Sequence, residues 1–97
     1  MIAYRLLPPA EEEMIEAALF YEAASVGLGE DFLDDIQHAI DTAREHPDLG
    51  IEVAPGLRRI LVRRFPFMII YAAESDQIVV VAIAHQRRRP QYWKGRM

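Results

Sequence analysis

Two stretches of this chain concentrate the side chains that could do chemistry. Leu57–Phe65 reads LRRILVRRF and carries four arginines. The final residues, IAHQRRRPQYWKGRM, carry His85, three consecutive arginines, Tyr92, Trp93, Lys94 and Arg96. Guanidinium groups are planar, permanently charged and suited to two-point contacts with carboxylates or phosphates. Aromatic rings beside them suit stacking on nucleic-acid bases or anchoring in a protein interface. On a lone strand, four arginines equally suit a solvated edge that charge protects. Tyr92 and Trp93 have a structural reading too, in which they fold back and fix the tail.

Proton transfer has one candidate. His85 ends an apolar run just before Arg87, and imidazole titrates near pH 6.5 unperturbed. It could equally cap that strand through a hydrogen bond. His38 and His46 fall on a polar helix face and at a helix end, so both are expected in solvent. No histidine pair has metal-ligand spacing, so no metal is expected. The chain has no cysteine, its two serines (Ser25 and Ser75) fall in expected turns, and no G-x-S-x-G or phosphate-loop pattern occurs. No cofactor is expected.

With 97 residues and 52% apolar composition, the chain is expected to form one domain, 1–97. The sequence pI is about 5.3, yet the charge is split. Residues 1–55 hold two basic and thirteen acidic side chains, a net of −11, and residues 56–97 hold nine basic and two acidic, a net of +7. Such polarity suits an anionic partner for the second half, or mutual screening of the two halves. The absence of cysteine suits a reducing cytoplasm. The start MIAYRLLPPAEEE lacks the layout of a signal peptide, and the apolar run Ile78–Ala84 is far too short to span a bilayer, so no membrane partner is expected.

These residues need elements to position them. Ile2–Leu7 is apolar and stopped by Pro8 and Pro9, which predicts a first strand. Proline in a first turn followed by Glu11, Glu12 and Glu13 predicts a helix start whose acids complement the dipole. Met14, Ala17, Ala18 and Tyr21 recur at helical spacing, flanked by Ile15 and Leu19. Gly27 and Gly29 end that helix, and a second follows from Glu30–Asp31 to Pro47, its buried stripe being Phe32 or Leu33, then Ile36, Ala39, Ile40 and Ala43. The short link implies a helical hairpin. DLGIEVAPG reads as a loop. LRRILVRRF, PFMIIYAA and IVVVAIA then read as three strands of an antiparallel meander. The expected fold is α+β: β-α-α-β-β-β, two layers, a hairpin on an antiparallel sheet, and a basic C-terminal tail. Alternation along the arginine strand groups Arg59, Leu61, Arg63 and Phe65 on one face and Arg58, Ile60, Val62 and Arg64 on the other.

That order, together with PGLRRILVRRFPFMIIY and the ending VAIAHQRRRPQYW, resembles the RelE/ParE superfamily of bacterial toxins. FYEAASVGLGEDFLDDIQHAIDTAREHPDLG resembles its ParE-like, plasmid-stabilisation branch. The resemblance covers nearly the whole chain. It implies the toxin of a type II toxin–antitoxin module, with a cognate antitoxin whose C-terminal segment wraps it. The pair would repress its own promoter, so operator DNA would be met only through the complex. RelE-type members cut mRNA on the ribosome, whereas ParE-type members inhibit DNA gyrase and are not nucleases.

Residue by residue, the resemblance favours the second type. Met68 stands where RelE-type toxins have an arginine after the aromatic, and a thioether cannot stabilise a developing phosphorane charge. Of the two basic positions on the preceding strand, Arg59 matches and Leu61 does not. Arg87 falls on a functional arginine, and Tyr92 or Trp93 near the functional tyrosine. Donors of this kind are each worth roughly 3–4 kcal/mol in a transition state. The expectation is therefore a gyrase inhibitor without catalytic residues. Arg59, Arg63, Arg87 and Arg88 would meet antitoxin or target carboxylates, Tyr92 and Trp93 would be apolar anchors, and the hairpin would offer a groove to an antitoxin helix. The alternatives are an mRNA endonuclease using His85, Arg59, Arg87 and Tyr92, and a non-toxic descendant that keeps only antitoxin binding and autoregulation.

Overall fold

A computed structural model describes residues 1–97. Its elements are β1 (Ala3–Leu6), α1 (Pro8–Ala24), α2 (Leu28–Glu45), β2 (Ile51–Ala54), β3 (Leu57–Leu61), β4 (Phe67–Ala73) and β5 (Gln77–His85). They form one five-stranded sheet in the order β1-β5-β4-β3-β2, with the hairpin α1–α2 packed on one face. The α+β class, the hairpin and the meander β3–β4–β5 are those expected.

Local chemistry sets the helix boundaries. Leu7 is extended before Pro8, as a residue preceding proline prefers, and α1 begins directly. The turn between the helices is closed by a carboxylate. Glu22 accepts hydrogen bonds from the Gly27 N–H at 3.0 Å and the Gly29 N–H at 3.0 Å, capping the start of α2. Gly27 has φ 89°, a left-handed conformation that glycine adopts without strain. On α2, Phe32, Ile36, Ala39, Ile40 and Ala43 are buried, so Phe32 rather than Leu33 opens the stripe. On α1, Ala10, Met14, Ala17 and Tyr21 face the sheet. Tyr21, Phe32, Phe65 and Phe67 form an aromatic cluster at the hairpin–sheet seam, mostly edge-on, with centroids 4.8–6.2 Å apart.

Four details depart from the sequence expectations. The segment read as the loop DLGIEVAPG contains β2, an edge strand joined to β3 through Gly56 at φ 76°. Four residues interrupted by a bulge are too short to show period-two alternation. The sheet is mixed, since β1 pairs with β5 in parallel while the rest is antiparallel. Strand direction between partners 74 residues apart leaves no local signature. The arginine strand ends at Leu61, because Arg64 takes a left-handed φ of 63°. Alternation therefore breaks, and Phe65 packs with Ile60 and Val62 on the hairpin side. Finally, a bulge at Val81 shifts the pairing from Ile70↔Ala82 to Tyr71↔Val80.

That bulge divides β5 between two cores. Ile78, Val80 and Ile83 face the hairpin, whereas Val81, Ala82 and Ala84 face the other side. The tail covers that other side, where Trp93 packs with Ile70, Val81, Ala82 and Ala84. Both faces of β5, an interior strand, are thus dry, which is why its sequence is continuously apolar.

Candidate functional site

Two backbone hydrogen bonds gather the basic segments at one end of the sheet. The Val62 N–H donates to the Phe67 carbonyl at 2.9 Å, closing the β3–β4 loop, and the Gln86 N–H donates to the Pro66 carbonyl at 2.8 Å. Arg63 and Arg64 on that loop and Arg87, Arg88 and Arg89 after β5 therefore share one rim. The rim brings together most of the basic residues that sequence reasoning selected.

The arginines there divide by whether they have a partner. Arg64 grips Asp35 of α2 with two bonds, Nε to Oδ2 at 2.8 Å and Nη2 to Oδ1 at 3.0 Å. This hydrogen bonding holds the Asp35 carboxyl below its ordinary range. Arg58 donates to the Gly50 carbonyl at 2.7 Å and serves the fold. Arg88 lies 3.8 Å from the Tyr92 ring centroid and 3.3 Å from Glu13. Arg63, Arg87 and Arg89 are exposed and have no carboxylate within ion-pair distance. Those three are the free charges of the rim.

The Asp35–Arg64 pair makes a pH prediction. A carboxyl whose folded value lies below the unfolded value near 3.9 stabilises the fold above that pH, and the contribution is lost as pH falls through the folded value. Asp35→Asn should therefore melt below the parent protein at neutral pH, and the two should converge in strong acid. Melting curves across pH 2–7 test this, and a constant gap down to the lowest pH would refute it. The effect should be modest, because Arg64 is solvated.

Sequence reasoning missed the residue that organises the tail. Glu13, expected as a helix-start acid, has a side chain only 11% exposed. Its Oε1 accepts from the Ile83 N–H at 3.1 Å and from Arg96 Nη1 at 2.9 Å. Its Oε2 accepts from the Tyr92 hydroxyl at 2.6 Å, from Arg96 Nη2 at 3.0 Å and from Arg88. Arg96 also reaches the Val81 carbonyl at 3.0 Å. One carboxylate thus fastens the C-terminal segment onto β5 beyond Val80, where pairing with β1 has ended. Burial, then the Glu13 carboxylate, push the Tyr92 hydroxyl well above its ordinary value. A signal for Glu13 existed. It is three residues after Ala10 and four before Ala17, on the inward stripe of α1, and a buried carboxylate requires donors.

The remaining selected residues are dispersed. Arg59 is half-buried and sits opposite Ile70 in the ladder, on the Trp93 side of the sheet. His85 pairs with Phe67, on the hairpin side, where the two rings meet edge-on at 5.0 Å. Arg59 and His85 therefore lie on opposite faces. His85 Nδ1 accepts the Arg87 N–H at 3.0 Å, which caps the end of the strand. Met68 is half-buried opposite Ala84. Trp93, expected as an anchor for a partner, is 3% exposed and instead completes the second core. Beside the rim, a groove of about 440 Å³ runs between α1 and the ends of β4 and β5, lined by Glu16, Phe20, Phe67, His85 and Arg88 among others. The arrangement sets a rim of free guanidinium groups, suited to anions, beside a groove with aromatic lining.

Comparison with known proteins adds three findings. A family model described as the ParE toxin of the type II toxin–antitoxin system parDE matches residues 4–90. The fold is similar to that of a solved chain titled "Chromosomal ParDE TA system from P. aeruginosa", with a TM-score of 0.69 and 18% identity, over 88% of this chain and 96% of that one. No curated protein matches the sequence.

Proposed function

This chain belongs to the ParE toxin family of type II toxin–antitoxin systems, and we propose that it acts in the cytoplasm by binding and stalling DNA gyrase until a cognate antitoxin covers it. The observation that carries this reading is the rim of unpartnered guanidinium groups at Arg63, Arg87 and Arg89, next to a tail that Glu13 holds in one conformation. A tail backbone already held in place spares the cost of ordering that segment, and complementary charge then favours an acidic protein surface. Arg59 extends the same chemistry onto the Trp93 side of β3, beside the tail. Tyr92 and Trp93 position the rim, and Arg88, exposed but paired with Glu13, stands beside the free charges. An antitoxin would neutralise the toxin by placing carboxylates on the same arginines, and operator DNA would be met only in that complex.

What supports binding over mRNA cleavage is the separation of the candidate catalytic groups. Arg59 and His85 occupy opposite sheet faces, the Tyr92 hydroxyl is committed to Glu13, and Met68 replaces the pivotal arginine of the resembling nucleases. A non-toxic autoregulator would keep the same rim and differ only in lacking the gyrase effect.

Gyrase-catalysed supercoiling of relaxed plasmid, titrated with antitoxin-free protein, tests the proposal. Inhibition is expected near stoichiometric protein. The triple variant Arg63→Glu/Arg87→Glu/Arg89→Glu should weaken it on the order of 100-fold, since three exposed charge contacts at up to about 1 kcal/mol each total about 3 kcal/mol. Inhibition should fall with added salt, as contacts between exposed charges are screened. Unchanged supercoiling with folded protein would sink the gyrase reading, and an intact effect in the triple variant would remove the rim from it.

A further inference from the structure

The sheet ends at β2, and no element except β3 packs against that strand. Its sequence, IEVA, holds none of the lysine or proline that commonly guards an exposed edge, and its bulge comes only after Glu52. The apolar side chains beside this edge are open to solvent. Leu49, Ile51 and Leu61 are 61%, 62% and 54% exposed. Ile51 stands opposite Arg59, and Arg59 opposite Ile70, so Ile51 and Leu61 share the Trp93 face of the sheet. Continuing that register brings Leu49 towards Leu61. Gln91 of the tail reaches β2 at the Val53 carbonyl, 3.4 Å away, and leaves Ile51 and Glu52 exposed. Three large apolar side chains grouped at an unpaired edge are the pattern of an interaction site.

Charge selects the occupant. Asp48, Glu52, Arg58 and Arg59 lie along this edge, two of each sign, and none forms an ion pair. A second copy therefore meets no net repulsion here, whereas the arginine rim and the glutamate-rich α1 would each repel their own copy. Arg58 supplies the complementary contact. It is the ladder partner of Glu52, yet it turns away from that carboxylate. Its Nη1 donates to the Gly50 carbonyl at 2.7 Å and to the Asp48 carbonyl at 3.3 Å. We propose that two copies of this chain pair antiparallel along β2, about a two-fold axis at Ile51, joining the two sheets into one. In this register Ile51 faces the partner's Ile51, Leu49 faces the partner's Val53, and Gly50 faces the partner's Glu52. Directly opposed residues share a sheet face, so the partner's Glu52 arrives where the Arg58 guanidinium already lies. Symmetry makes that ion pair twice. An axis at Glu52 would set Glu52 against the partner's Glu52, and an axis at Gly50 would set it against the partner's Asp48. Both oppose like charges. The proposal uses no residue of the arginine rim, so it stands apart from the gyrase reading.

Sedimentation equilibrium of the full chain tests it. A monomer–dimer equilibrium with a Kd on the order of 10 µM is expected. Ile51→Asp should leave only monomer, and Glu52→Arg, which sets like charges against Arg58, should weaken the dimer about tenfold. Both side chains are exposed, and circular dichroism checks that each variant stays folded. Cysteine placement reads the register directly, because the chain has no cysteine of its own. Opposed residues of an antiparallel pair have Cα atoms about 4.5–5.5 Å apart, within reach of a disulfide. Ile51→Cys should therefore cross-link to its own copy on mild oxidation, whereas Leu61→Cys, one strand further in, should not. A monomer at every concentration, a dimer that survives Ile51→Asp, or a dimer in which Ile51→Cys fails to cross-link would each overturn the proposal. So would a chain that stays monomeric while a synthetic extended peptide of alternating leucine and glutamate shifts the Glu52 amide in NMR spectra, since the edge would then take a foreign strand.

Discussion

Glu13→Ala should destabilise the protein by about 3 kcal/mol and release the C-terminal segment from β5. Breaking a buried ion pair by removing one partner costs about 3–5 kcal/mol, because the surviving groups are left desolvated. Here the survivors are Arg96, the Tyr92 hydroxyl and the Ile83 N–H. Arg88 is solvated, which places the expected cost at the lower end. For a chain of this size that is a melting-temperature drop of roughly 12–24 °C. Trp93 should become accessible to quencher, and the Ile83 amide should exchange faster. Glu13→Gln keeps an acceptor oxygen and should cost about half as much. An unchanged melting curve with Trp93 still protected would show that Glu13 does not hold the tail.

The same cluster sets an alkaline limit. The Tyr92 hydroxyl has a folded pKa above the unfolded value near 10, so the fold favours its neutral form. Its contribution is complete below about pH 10 and is lost as pH rises towards the folded value. Tyr92→Phe, which cannot ionise, should start less stable and then lose less between about pH 9 and 11. Equal slopes for the two proteins would contradict this account.

The second large effect is expected at Gly50. A Cβ there would meet the Tyr71 hydroxyl at 2.5 Å and the Arg59 carbonyl at 2.8 Å. Tyr71 is fully buried, and its hydroxyl accepts from the Gly50 N–H at 3.0 Å while donating to the Pro47 carbonyl at 2.8 Å. Neither it nor the β3 backbone can retreat cheaply. Gly50→Ala should cost about 3 kcal/mol, from overpacking and the displaced hydrogen bonds. Gly56→Ala is the contrast. It has open space but a φ of 76°, so only backbone strain of about 1–2 kcal/mol is expected. In a Tyr71→Phe background the hydroxyl is gone, and Gly50→Ala should cost measurably less than it does alone. Urea unfolding of the four proteins decides it, and strict additivity would place the clash elsewhere.

Sequence alone determined whatever depends on neighbours within about a dozen residues. Pro8 and the acids after it start α1, and the Phe32–Ile36–Ala39–Ile40–Ala43 stripe defines the inner face of α2. Apolar runs bounded by turns locate β4 and β5, and the family segments around the arginine strand pointed to a ParE-like toxin. Those features arise from backbone sterics and from burial patterns at periods of 3.6 and 2, which are local.

Tertiary structure decided everything that depends on which distant residue arrives. Glu13 reads as a solvated acid until Tyr92 and Arg96, 79 and 83 residues later, surround it. Arg63 and Arg64 are neighbours in one loop, yet Asp35 of α2 takes one and leaves the other free. The β5 bulge settles which side chains face Trp93, and the ladder settles that Arg59 and His85 cannot meet. Even β2 exists as a strand only because β3 lies beside it. A charge becomes buried, paired or available only when long-range packing fixes its dielectric surroundings and its partner, and no local pattern encodes that.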